Sequence, residues 1–171
     1  MIVTPADHVI TREADFEQSV LNGFEFVESH DALLTLGISP TRPETGYGYI
    51  QIGDVVQDGI NKVKTFTEKP DHELAKVFVA SGEFFWNSGI FLWRASAIRE
   101  ALRRWAPDVA GAFDAAAPEV YRDHAAETEF IDKAFPGCVG ISIDYAVMER
   151  ANNVYVETVT FGCNDLGTWS A

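Results

Sequence analysis

Short apolar runs rich in β-branched residues recur along this chain, and helix-period stripes lie between them. Ile2-Val3-Thr4, Ala32 to Ile38, Ile90 to Trp93 and Val154 to Thr160 read as strands buried in a sheet. Tyr49 to Ile52 and Val63 to Thr67 read as further strands. Between them, Phe16, Val20, Leu21, Phe24 and Val27 form one apolar stripe, with Asp15 as its N-cap and Gln18 three residues on. Asp71 caps a helix carrying Leu74, Val77 and Phe78, closed by Ser81-Gly82. Ser96 opens another, with Ile98, Ala101, Leu102 and Trp105 on one face. This alternation predicts an α/β fold, a mixed and mostly parallel sheet with flanking helices. The Ala-, Asp- and Glu-rich stretch from Pro107 to Thr128 reads as an exposed helical excursion. Asn164-Asp165-Leu166-Gly167 reads as a turn.

At 171 residues the chain suits one domain with a sizeable core. Its net charge of -13 repels a phosphate polymer, so nucleic acid is excluded as the expected partner. A small phosphorylated ligand is compatible with that charge when a divalent metal offsets it locally. Cys138 and Cys163 lack C-x-x-C spacing, which argues against a disulfide framework or structural zinc. His8, His30, His72 and His124 show no metal spacing. No apolar run is long enough to span a bilayer, and no basic flank precedes Ile2-Val3. The expectation is a cytoplasmic protein without membrane contact.

Open α/β sheets hold ligands at the loops that follow their strands. Asp7 and Asp165 adjoin such loops and offer hard carboxylate oxygens for a cation such as Mg2+; either also serves to close a turn. Lys69, between Glu68 and Pro70, offers an ammonium to a phosphate or forms a surface pair with its neighbour. Pro70 biases Lys69 toward an extended backbone. Gly46, Tyr47 and Gly48 let the main chain approach a ligand closely, or build a turn. Asn87 carries a donor and an acceptor suited to a sugar hydroxyl, or caps the Ser88-Gly89 turn.

These segments, taken in order, resemble those of the sugar-1-phosphate nucleotidyltransferases, the mannose-1-phosphate guanylyltransferases in particular. The resemblance is carried by Pro5-Ala6-Asp7-His8-Val9-Ile10, Pro43-Glu44-Thr45-Gly46-Tyr47-Gly48-Tyr49-Ile50, Phe66-Thr67-Glu68-Lys69-Pro70-Asp71 and Trp86-Asn87-Ser88-Gly89-Ile90-Phe91. Ser142 to Glu149 and Asp165-Leu166-Gly167-Thr168-Trp169 complete it. It implies a partial GT-A-like fold and a Mg2+-dependent reaction in which mannose 1-phosphate and GTP give GDP-mannose and pyrophosphate. Asp7 and Asp165 would then hold the metal, Lys69 the sugar phosphate, and Glu68 and Asn87 the hexose hydroxyls, helped by the backbone around Gly46, Tyr47 and Gly48.

Two features depart from the family pattern. No segment matches the glycine-rich loop G-G-x-G-x-R-L-x-P-L that cradles the nucleotide. The expectation is a domain incomplete at both ends, spanning 1–171, that self-associates or needs a complementary segment and is inactive or impaired alone. Cys163 stands where relatives carry Trp, leaving a smaller side chain near Asp165.

Overall fold

The computed structural model describes residues 1–116 and 119–161, and the backbone of 163–165. In chain order the elements are β1 (Ile2–Val3), β2 (His8–Ile10), α1 (Glu13–Ser29), β3 (Leu33–Ile38), β4 (Tyr49–Gln57), β5 (Ile60–Thr67), α2 (His72–Ser81) and β6 (Phe84–Trp93). Then follow α3 (Ala95–Trp105), α4 (Pro107–Asp114), α5 (His124–Ala134), β7 (Val154–Val159) and β8 (Cys163–Asp165). The chain divides into two compact units, one of residues 1–97 with 152–171 and one of residues 98–151.

In the first unit six strands run in the order β1-β6-β3-β7-β5-β4. Strand β4 also pairs with β6, from Tyr49 opposite Trp86 to Gln51 opposite Phe84, so β6, β3, β7, β5 and β4 close into a circuit. The mixed α/β class matches the sequence reading, but the strand directions do not. Only β3 and β7 are parallel, in register from Leu33 opposite Val154 to Ile38 opposite Val159; the other pairings are antiparallel. The reason is that β4 and β5 form a hairpin, and β6 returns between β1 and β3 against both.

Phe26 and Val27 of α1 pack with Leu34, Leu36, Ile60, Ile90, Leu92, Val159 and Phe161 in the larger core cluster. Burying one such side chain fully contributes about 1.5–3 kcal/mol. The helix begins two residues before its expected cap: Arg12 occupies the N-cap without a side-chain hydrogen bond, and Asp15, in the first turn, pairs with Arg12 at 3.3 Å. Leu21, placed on the apolar stripe by its spacing, faces solvent.

Helix α2 is bounded as its sequence predicts. The Asp71 carboxylate accepts from the Leu74 N–H at 2.9 Å, and Gly82 closes the helix at φ 72°. Its Ala75 and Phe78 join Tyr49 and Trp86 in a second cluster, while Leu74 and Val77 stay exposed.

Two short elements depart from expectation. Strand β1 is an edge strand, half-buried at Ile2 and exposed at Val3, because it pairs with β6 alone. Asn164 and Asp165, read as a turn, lie instead on β8, which pairs with β2. Leu166 and Gly167 fall outside the described residues.

In the second unit α4 and α5 bury no residue fully, in line with the exposed excursion expected there. Phe130 meets Phe113 and Tyr121 edge-on, and Asp123 caps α5 through the N–H groups of Ala125 and Ala126. Among the described residues no helix is long and apolar enough to cross a membrane.

Candidate functional site

The Asn87-Ser88-Gly89 sequence builds a bulge in β6. The register against β3 passes from Thr35 opposite Phe91 to Gly37 opposite Asn87, so Ser88, Gly89 and Ile90 stand against Leu36 alone. Gly89 takes φ 72°, a conformation that favours glycine. Side-chain hydrogen bonds hold the bulge together. Asn87 Oδ1 accepts from the Gly89 N–H at 3.3 Å and lies 2.9 Å from Thr35 Oγ1. The Thr35 hydroxyl also lies 3.0 Å from the Ile90 carbonyl, so its single proton alternates between two acceptors. Ser88 Oγ accepts from the Ile90 N–H at 3.2 Å. The turn-capping reading of Asn87 is therefore correct, and the same bonds fix where its carboxamide points.

Across the β4–β6 pairing, the Asn87 N–H donates to the Gly48 carbonyl at 2.8 Å. Gly48 is where three elements converge. A Cβ there would lie 2.4 Å from Glu68 Oε2 and 3.4 Å from both Asn87 Cβ and Phe66 Cε1. The fold thus brings Gly48, Glu68 and Asn87 into contact from three separate stretches of chain. Glu68 Oε1 pairs with Lys69 Nζ at 2.9 Å, the Glu68 side chain being 7% exposed and that of Lys69 57%. The Lys69 backbone corrects the expectation of an extended conformation: its φ is 47°, the only positive φ among the described non-glycine residues. The chain reverses here to leave β5 for α2, and a left-handed residue makes that reversal despite Pro70.

The loop from Arg42 to Tyr49 is organised by Glu44. Its Oε1 accepts from the N–H groups of Thr45 at 3.0 Å and Gly46 at 3.1 Å, and its Oε2 pairs with Arg42 Nε at 3.2 Å. The Gly46 hydrogen bond, with Arg42 and Thr45, holds the Glu44 carboxyl below the ordinary glutamate range. The Glu44 carbonyl accepts from the buried Tyr49 hydroxyl at 2.9 Å. Gly46 is exposed and its N–H is committed to Glu44, whereas Tyr47 stacks edge-on against Trp86 at 5.2 Å.

Asp7 and Asp165 are brought side by side by backbone pairing. Strands β2 and β8 are antiparallel with His8 opposite Asp165, so Asp7 sits one residue beyond that pair. The Asp165 side chain lies outside the described residues. Pro5 of the same loop lies against the bulge: a Cβ on Gly89 would be 3.3 Å from Pro5 Cγ. Mg2+ commonly takes one or two carboxylates plus waters and substrate phosphates, and the backbone pairing brings two aspartates to neighbouring register positions. Among the described residues no group of three acidic, His or Cys side chains gathers.

Thr35, Glu44 and Glu157 escaped the sequence reading. Glu157 on β7 is 5% exposed, and burial pushes its carboxyl up to about 7, opposed by hydrogen bonds from Asn22 and Ser19. Its Oε2 has no partner among the described residues. An isolated Glu within a strand otherwise made of Val, Tyr and Thr was the available signal.

Comparison with known proteins places this geometry in context. The nucleotidyl transferase family model matches residues 1–171. The chain is 45% identical over its full length to the xanthan biosynthesis protein XanB of Xanthomonas campestris, and 43% identical to the mannose-1-phosphate guanylyltransferase of Escherichia coli K12. It spans 36% of the length of each, about a third of the curated relatives it matches. Among solved structures, a Thermus thermophilus protein described as a mannose-1-phosphate geranyltransferase superposes with a TM-score of 0.82 at 30% identity, over 98% of this chain and 47% of that one. A Helicobacter pylori protein described as a mannose-6-phosphate isomerase superposes with a TM-score of 0.78 at 26% identity, over 96% and 63%.

Proposed function

This chain belongs to the nucleotidyl transferase family, and we propose that it forms the sugar-phosphate and metal side of a mannose-1-phosphate guanylyltransferase. The observation that carries this reading is the convergence of Gly48, Glu68 and Asn87 beside the exposed ammonium of Lys69. A hexose needs hydroxyl acceptors and donors in a confined space, next to a cation for its phosphate. The buried Glu68 carboxylate accepts from hexose hydroxyls, and the Asn87 carboxamide, held by Thr35 and Gly89, recognises another. The Gly46-Tyr47-Gly48 stretch forms a wall that only an unbranched backbone lets the sugar approach. Lys69 places its charge on the 1-phosphate as a mobile point charge.

In the reaction, an oxygen of mannose 1-phosphate attacks the α-phosphorus of GTP in line. The new O–P bond forms as the bond to the β-phosphate bridging oxygen breaks, and pyrophosphate leaves. Asp7 and Asp165 would hold Mg2+, which when bound screens the repulsion between phosphates and stabilises the charge developing on them. The protein contributes chiefly positioning and electrostatics. We assign nucleotide capture to a complementary segment, a reading supported by the chain's spanning about a third of its curated relatives. Both substrates are metabolites of the cytoplasm, and the reaction is placed there.

The test is pyrophosphate release from GTP and mannose 1-phosphate with Mg2+, measured with the complementary segment supplied to the chain. Asp7→Asn and Lys69→Ala are each expected to lower kcat/KM by about 100-fold or more, the scale of losing a charged group from such a site. Chelation should abolish turnover. Turnover indifferent to both substitutions would refute the assignment.

A further inference from the structure

The Arg42–Tyr49 loop carries one residue whose every polar group points back into the loop. Glu44 uses a single carboxylate oxygen, Oε1, to hold the N–H groups of Thr45 and Gly46. Its carbonyl receives the hydroxyl of Tyr49, a residue that is itself fully buried in the α2 cluster. The loop is therefore tied at both ends of the Thr45–Gly48 stretch. One tie is to the Glu44 side chain; the other reaches through Tyr49 to the core. Between these ties sit Tyr47, packed on Trp86, and Gly48, which leaves no room for a Cβ beside the Glu68 carboxylate. A displacement of the loop would change the spacing between the Gly48 backbone and the Glu68 carboxylate.

Arg42 strengthens the arrangement from outside. It pairs with Glu44 Oε2 at 3.2 Å, and its guanidinium lies 5.7 Å from the centre of the Trp86 ring. This ion pair is about half exposed on the Arg42 side, so water screens it and its contribution is small. The two backbone hydrogen bonds to a charged carboxylate are the stronger part, being charge-assisted and local.

We infer that Glu44 is a positioning residue for the hexose pocket: it sets the Tyr47-Gly48 wall against Glu68 without itself touching the sugar. The inference rests on the reading of that pocket as a hexose 1-phosphate site, and it names the residue on which the pocket's shape depends. Glu44 acts by accepting hydrogen bonds within the loop, so an amide oxygen at the same place should keep the loop set through weaker, uncharged bonds. The proposal thereby separates Glu44 from Lys69, whose charge is what the phosphate needs.

The experiment compares the purified chain with its Glu44→Ala, Glu44→Gln, Arg42→Ala and Lys69→Ala variants. Mannose 1-phosphate affinity is read by isothermal titration, and amide hydrogen exchange is read along residues 45–49. Glu44→Ala should weaken binding by about tenfold or more with an unchanged melting temperature, whereas Glu44→Gln and Arg42→Ala should stay within about threefold. Exchange at Thr45 to Gly48 should rise in Glu44→Ala and be restored in Glu44→Gln. Should Glu44→Ala fail to fold, Glu44→Asp keeps the charge on a shorter arm and is expected to show the same rise in exchange. Wild-type affinity in Glu44→Ala, or unaltered exchange at Tyr47 and Gly48, would overturn the inference. If the wild-type chain does not bind mannose 1-phosphate at all, it is the hexose reading that fails. The exchange pattern then still decides whether Glu44 sets the loop.

Discussion

The carboxylate of Glu68 fills the space into which a side chain at position 48 would grow, with Oε2 only 2.4 Å from where a Gly48 Cβ would stand. That proximity accounts for glycine at position 48. An acceptor is pressed against bare backbone, and the third wall is Asn87, 3.4 Å from the same point. Gly48→Ala should displace the Glu68 carboxylate from the pocket. Because the atom met is the free end of the Glu68 side chain and can give way, the cost stays near the low end of overpacking, about 1 kcal/mol. Urea melts should register that loss, and mannose 1-phosphate affinity should fall by more than the loss of stability alone would produce.

Lys69 holds a left-handed backbone, φ 47°, beside an ion pair to Glu68. A non-glycine residue in that region is strained by about 1–2 kcal/mol. Lys69→Gly should therefore raise thermal stability while lowering affinity for sugar phosphate, and Lys69→Ala should lower affinity without that gain. Melting curves run alongside titrations check this opposition. A Lys69→Gly protein that melts lower than Lys69→Ala would contradict it.

Glu157 makes stability depend on pH. Its folded pKa, about 7, lies above the ordinary 4.5, so the native state binds the proton more tightly than the unfolded chain. Stability from this group is fully present below pH 4.5 and declines as pH rises to about 7. At roughly 1.4 kcal/mol per unit, the difference across that window is about 3–4 kcal/mol. Denaturant unfolding from pH 5 to pH 8 should show the decline, and Glu157→Gln should abolish it. An equal slope in the variant would place the titration elsewhere.

Thr35 is buried between β6 and β7 and turns its hydroxyl toward Asn87 and Ile90. Thr35→Val keeps the shape and removes the donor, which should cost about 1–2 kcal/mol. The Asn87 carboxamide oxygen would lose the Thr35 donor and keep the Gly89 N–H, so hexose affinity should drop several-fold. A nuclear magnetic resonance signal from the Asn87 side chain, broadened in the variant, would report the loosened amide directly.

Much of this architecture was legible in the sequence. Strand β7 announces itself by Val154, Val156 and Val159, and α2 by Asp71 at one end and Gly82 at the other. The directions of the strands were not legible, because an apolar run records burial and not polarity; the hairpin β4–β5 turned most pairings antiparallel. Strand β8 was missed because Cys163-Asn164-Asp165 lacks any apolar alternation and forms a ladder only through β2. The candidate site residues were picked out by type and given their roles by the family resemblance, yet their meeting was not readable. Gly48, Glu68 and Asn87 are separated by 20 or so residues each, and only the β4–β5 and β4–β6 pairings bring them together. Glu44 was invisible for a simpler reason: a charged residue in a Thr-Gly loop looks solvated until its hydrogen bonds are traced.

The central claim is that the Gly48–Glu68–Asn87 pocket beside Lys69 takes a hexose 1-phosphate. Isothermal titration of the purified chain with mannose 1-phosphate tests it most directly, against Lys69→Ala and a Lys133→Ala control on α5. The account predicts saturable binding that weakens by about tenfold or more in Lys69→Ala and is unchanged in the control. A folded chain that does not bind the sugar phosphate, or binds it equally well without Lys69, would contradict it.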